Sequence, residues 1–362
     1  MPAFTKILRP AALALVAWSL LGAPGARAEG LVDERQALHL LDRLGYGPAP
    51  GELAHVRAIG LDAYIQGQLV PPALPPQFET RLRQPVASDA QAREERLLRA
   101  IGSPRQLEEV LSAFWLSYFG IVEGKGMTAL DAAAIEREAV RPQVFGSHAA
   151  LRAAVARHPA MRGRLLRGGG DAAALRALAQ HFVSAPPGAL VRALARTWQA
   201  SGGGQRAVLR ALFTSPAFLA PAEAGSKRKD ALRFVVSAVR ASGVAVNNAA
   251  PLAAVLERAG APVYGRSGVL LASQARADFV ASLVQGRLAL AKGPQAHEQA
   301  SSAPPMRATG EGEDIESTVA QPGPVLMAAP SPSAAAMAAA RSRPDEAAGL
   351  SEMLGSERFL RY

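Results

Sequence analysis

The stretch Ser103-Pro104-Arg105-Gln106-Leu107-Glu108-Glu109-Val110-Leu111-Ser112-Ala113-Phe114-Trp115-Leu116-Ser117-Tyr118-Phe119 decides the fold. Leu107, Val110, Leu111, Phe114, Trp115 and Tyr118 recur at helical spacing, which predicts a helix with a wide apolar face. Ser103 stands where a cap is needed, Pro104 suits a first helical position, and Gln106 can complete a capping box. Phe114, Trp115, Tyr118 and Phe119 crowd four aromatic side chains into six positions of a chain that is only 5% aromatic. Large aromatics dominate core energetics, so the group reads as a central core helix rather than a ligand box.

The same periodicity extends in both directions. Upstream it predicts helices over 33–45, 50–59, 61–69 and 91–101. Downstream it predicts helices over 128–140, 148–157, 172–183, 188–199, 205–213, 230–241, 251–258 and 270–290. Arg141-Pro142 closes the 128–140 helix, and Gly168-Gly169-Gly170 reads as a flexible joint with Asp171 as a cap. Ser215-Pro216 reads as another capped start. The stretch Met353 to Leu360 echoes Leu212 to Leu219, as though one helix-stop, Ser-cap and Phe-anchor device were used twice. No stretch alternates like a strand, so the fold class is all-α.

The chain has 362 residues, 49% of them hydrophobic, enough for a sizeable core. It has no Cys, which excludes disulfides, thiolate zinc sites and thiol catalysis. Lys6 and Arg9, the apolar run from Ala11 to Leu21 and the exit Ala26-Arg27-Ala28 form a signal peptide of the Sec type. Cleavage is expected after Ala28, with a periplasmic or extracellular destination and no transmembrane segment remaining. The expected domains are a signal peptide (1–28), a multi-helix globular domain (29–291), a disordered Pro/Ala/Ser-rich linker (292–343) and a terminal helix (344–362) that docks on the globular domain.

Several segments resemble a bacterial secreted family known as domain of unknown function 1800. They include Ala37 to Pro48 with its Gly45-Tyr46-Gly47 turn, Gly60 to Ile65, and Ser103 to Gly126. Ala156-Arg157-His158-Pro159-Ala160-Met161, Ala207 to Pro216, Phe234 to Ala238 and Ser356-Glu357-Arg358-Phe359 are similar to it as well. The family has Asn-His where this chain has Ser117-Tyr118. Its long polar middle, expected after Met161, is reduced here to Arg162 to Arg167. The resemblance therefore implies a divergent member with a shortened middle, and it supplies a fold class and a location rather than a reaction.

The net charge is +10, and Arg supplies nearly all the basic residues. No stacking aromatics or nucleic-acid module accompany the Arg, so no nucleic-acid partner is expected. No His-x-x-x-His pair, Gly-x-Ser-x-Gly elbow, P-loop or dinucleotide fingerprint occurs, so no metal or cofactor is expected. Glu136, Arg137, Glu138, Arg141, His148 and His158 form the best polar constellation, with Glu136, Arg141 and His158 as the catalytic candidates. The expected function is a non-enzymatic envelope component that binds another exported protein. An envelope hydrolase using Glu136, Arg141 and His158 is the rival, and an anionic-polymer binder using the Arg-rich surface is the third reading.

Overall fold

The computed structural model describes residues 33–82, 85–124, 126–291 and 344–362. The signal peptide and the 292–343 linker lie outside the described residues. Fifteen α-helices and no strands are present among the described residues, as the apolar periodicity requires. The first seven are α1 (Glu34–Leu44), α2 (Glu52–Ile59), α3 (Leu61–Leu69), α4 (Pro76–Leu82), α5 (Asp89–Gly102), α6 (Gln106–Phe119) and α7 (Ala129–Ile135). Then come α8 (His148–Arg157), α9 (Asp171–Phe182), α10 (Gly188–Ala200), α11 (Gln205–Phe213), α12 (Ala231–Ser242), α13 (Ala250–Arg258), α14 (Ser273–Val284) and α15 (Pro344–Gly355).

Helix α6 is central. It packs on α1, α3 and α5, and Trp115 is 0% exposed. Gly120 ends it in the left-handed region (φ 71°), where its N–H returns to the carbonyls of Leu116 and Ser117. Trp115 and Phe119 are therefore core, as the periodicity predicts, with Phe114 and Tyr118 half-buried against them. The start of the helix differs from expectation. It begins at Gln106, and Ser103 Oγ accepts only the Arg105 N–H. The Gln106 amide is drawn into the interior, donating to the carbonyls of Ala100 and Ser103 and accepting from the Tyr46 N–H. A side chain that can satisfy three buried backbone groups gains more there than in a cap.

Four further local readings are corrected. Asp171 does not cap α9, whose cap residue is Gly170, because its carboxylate takes His148 Nδ1 at 2.8 Å. The triple glycine is fitted around Tyr118, whose hydroxyl accepts the Gly169 N–H at 2.9 Å. Ser215 starts no helix but forms a turn that stops α11. The helix expected from 270 starts only at Ser273, because the preceding chain leaves helix to pair with α12: the Ala231 N–H donates to the Val269 carbonyl at 2.8 Å.

The duplicated device is real at atomic level. Ser215 Oγ donates to the Leu212 carbonyl (2.7 Å) and accepts the Phe218 N–H (3.2 Å). Ser356 does the same with Met353 (2.8 Å) and Phe359 (3.2 Å). Phe218 is thereby buried, and Phe359 is laid against Phe234. The segment after α15 then pairs with residues 227–229: Lys229 N–H to Leu360 O (2.8 Å), Lys227 N–H to Tyr362 O (3.1 Å) and Tyr362 N–H to Lys227 O (2.9 Å). Leu354 and Leu360 are buried in the same core as α6 and α12. The Tyr362 ring carries the Arg233 guanidinium at 4.1 Å.

Candidate functional site

Three elements enclose a cavity of about 330 Å³: the second half of α6, the start of α12, and the loop 261–270 between α13 and α14. Tyr362 closes one side. Phe114, Leu116 and Val263 supply apolar wall, and Arg96, Arg228, Arg233 and Arg266 supply charge. Asp230 is the sole acidic side chain lining it, and both of its oxygens are engaged by main chain. Oδ1 accepts the Arg233 N–H (2.9 Å) as the cap of α12, and Oδ2 accepts the Gly268 N–H (3.2 Å).

The four arginines are held differently. Arg233 donates to the carbonyls of Asp42 and Gly45, so its position is fixed by the turn after α1. Arg96 lies over the Tyr264 ring at 4.5 Å. Arg228 and Arg266 are exposed at the rim, and among the described residues neither has a carboxylate partner. Burial, with Arg233, Lys227 and Arg43 nearby, pushes His181 well below its ordinary value, so this ring enters the cavity neutral. The result is a half-apolar pocket with a surplus of guanidinium groups. Such a pocket selects carboxylates or other oxyanions.

The loop carries a second, open cavity of about 630 Å³ on its other side. A hydrogen bond between the hydroxyls of Ser117 and Ser267 (2.9 Å) marks the boundary. Met127 and Met161 lie against this second space with Arg164, Arg167 and Leu165, which is 89% exposed. These residues border the point where the sequence is shortened.

Tyr264 joins the first cavity to the catalytic candidates. Behind it the helix after α7 widens into a π turn, Glu136–Val140, which turns Glu136 and then Arg141 inward. Arg141 bonds Glu109 (2.5 and 2.9 Å), Glu136 (2.6 Å) and Glu108 (3.2 Å). Burial opposes ionisation of Glu136, but Arg141 and Arg96 outweigh it and hold its carboxyl below the usual range. Burial and the Glu136 charge push the Tyr264 hydroxyl well up, so it stays protonated. His158 is not drawn into this network. Its Nε2 meets Glu138 at 3.3 Å, and its Nδ1 accepts the Ala160 N–H at 3.2 Å. Arg137 also pairs with Glu138, on the exposed side.

His148 joins neither group. It is bonded to Asp171 and buried among Trp115, Phe119 and Trp198. Among the described residues, no three His, Asp or Glu side chains converge as a metal-ligand set. The arginines of α12 were not singled out by sequence reasoning. Arg233 and Arg240 lie seven apart inside an apolar run, a spacing that puts both on one helical face, and both are buried.

His39, on α1, sets a pH limit for the whole body. Its Nε2 meets the Phe218 carbonyl at 2.9 Å, and burial with Arg43 nearby lowers its pKa to about 4. An unfolded His titrates near 6.5, so the unfolded chain binds more protons between these values. The contribution of neutral His39 to stability is complete above about pH 6.5 and is lost as the pH falls toward 4. Thermal melts from pH 7 to 4 should therefore show a steep loss that is shallower in His39→Gln, which keeps a donor for Phe218. Parallel slopes in the two proteins would contradict the assignment.

A family model described as "Protein of unknown function (DUF1800)" matches residues 39–164 and 174–348. The gap between the two segments falls where the middle is shortened. No curated protein and no solved structure matches the chain. Among the described residues, no helix is long and apolar enough to cross a membrane. On the strength of a match that spans most of its length, the chain belongs to the DUF1800 family.

Proposed function

We propose that the protein is an exported, non-enzymatic binding component of the cell envelope that receives an acidic segment of another exported protein. The observation that carries the reading is the convergence of Arg96, Arg228, Arg233 and Arg266 on a cavity whose one acidic side chain is already engaged. The adjoining open cavity, with Met127, Met161 and exposed Leu165, supports a chain-like occupant rather than a small molecule alone. Export rests on the residues before Glu29, and an intact mass beginning at Glu29 is expected for protein recovered from the envelope.

The test titrates the mature chain with hexaglutamate and, as a control, hexalysine. Hexaglutamate should bind, and its affinity should fall with added salt. Substituting Arg228→Glu with Arg266→Glu should weaken it at least about tenfold, since each lost guanidinium contact is worth about 1 kcal/mol or more. Both arginines are exposed and unpaired among the described residues, so the fold should be retained. Binding that is absent, or unchanged in the double variant, would overturn the reading.

A further inference from the structure

A separate cavity of about 380 Å³ lies where the C-terminal segment meets α1. Arg35, His39 and Asp42 of α1 form one wall, Ala224 and Gly225 another, and Arg358 and Arg361 the third. Three guanidinium groups from two distant parts of the chain thus face one space. Among the described residues none of the three has a carboxylate partner. Asp42, the only acidic residue lining the cavity, is already beside Lys229, Arg233 and Arg43, and burial raises its pKa despite them. It leaves the three rim arginines uncompensated.

His39 adds an independent sign of a ligand. Its Nε2 is committed to the Phe218 carbonyl, so that nitrogen carries the proton. Its Nδ1 is buried, has no partner, and in the neutral ring is an acceptor. A buried acceptor left unpaired is costly unless a donor visits it. The like charges of Arg35, Arg358 and Arg361 also repel as the segment docks, while its docking is held by backbone pairing with 227–229 and by Leu354, Phe359 and Leu360. A ligand that is anionic at one end and a hydroxyl donor at the other removes both costs.

We propose that this cavity binds a small hydroxylated oxyanion, its carboxylate or phosphate held by Arg35, Arg358 and Arg361 and its hydroxyl donated to His39 Nδ1. None of these three arginines lines the acidic-segment cavity, although Arg361 is paired across the chain with Arg228 of that cavity. Bound ligand bridges α1 and the C-terminal segment, so occupancy also holds that segment in place.

Calorimetric titration of the full mature chain tests this with four probes: citrate, its deoxy analogue tricarballylate, glucose 6-phosphate and methyl phosphate. Citrate or glucose 6-phosphate, whichever head group the arginines prefer, should bind roughly tenfold tighter than its hydroxyl-free counterpart, the worth of one buried hydrogen bond. Arg358→Ala with Arg361→Ala, both exposed positions, should weaken that probe by roughly tenfold or more. The Arg266→Glu protein should bind it unchanged. No binding of either hydroxylated probe by folded protein overturns the site. Equal binding of each probe and its counterpart overturns the role of His39. Loss through Arg266→Glu instead would assign the anion to the first cavity.

Discussion

Trp115→Ala is expected to destabilise the protein by about 3–5 kcal/mol, the usual cost of truncating a buried Trp. That is a large part of a domain's total of about 5–15 kcal/mol. Trp115 is fully buried, and its ring meets those of Phe114 at 4.8 Å, Tyr118 at 5.3 Å, His148 at 5.4 Å and Phe119 at 5.6 Å. Rings in contact on several sides cannot collapse into the space a Trp leaves. Soluble yield and denaturant midpoint should fall together. The indole Nε1 has no hydrogen-bond partner, so Trp115→Phe, which removes that orphan donor, should cost clearly less. If Trp115→Ala melted like the wild type and lost hexaglutamate binding instead, the aromatic group would be a ligand platform.

The second large effect is at Arg141. Arg141→Met keeps the aliphatic stem but leaves Glu108, Glu109 and Glu136 facing one another without their guanidinium. Removing one partner of a buried ion network typically costs about 3–5 kcal/mol, because charge is left uncompensated in low dielectric. The effect has a characteristic pH dependence. In the wild type the Glu136 carboxyl is held low, so its stabilising share is complete above the unfolded value and is lost only as the pH falls through the folded one. Without Arg141 the burial penalty prevails, and the carboxyl favours its protonated form. The gap between the two proteins should therefore be widest at neutral pH and narrow on acidification toward pH 4. Chemical denaturation at several pH values checks this. A constant gap would mean that lost packing, not lost charge, dominates.

Much of the helical order was legible because it is local. The α8 bounds, 148–157, depend on residues within one or two turns. The Ser215 and Ser356 turns were legible for the same reason, since each is closed by bonds to residues three positions away. What could not be read was the choice between a local partner and a distant one. Gln106 turns from a cap to Tyr46, Asp171 from a cap to His148, and residues 269–272 from helix to α12. Of the catalytic candidates, Glu136 and Arg141 are five apart and meet across the π turn. His158 is taken by nearer groups, and nothing in its own sequence neighbourhood says so. The cavities were the least legible, because loop 261–270, α6, α12 and Tyr362 are brought together only by tertiary packing.

The pairing of residues 227–229 with 360–362 joins the C-terminal segment to the body through contacts between described residues. Because both partners belong to one chain, the effective concentration of the pairing is high, so even weak pairing is favoured in the intact chain. One proteolytic cut between Ala291 and Pro344 would leave the described pairing in place while turning a unimolecular closure into a bimolecular equilibrium. Tyr362, Arg358 and Arg361 would then leave both cavities on dilution and return on concentration. Nicked protein would be a dose-dependent version of the whole one, with its binding walls present in proportion to how much of it there is.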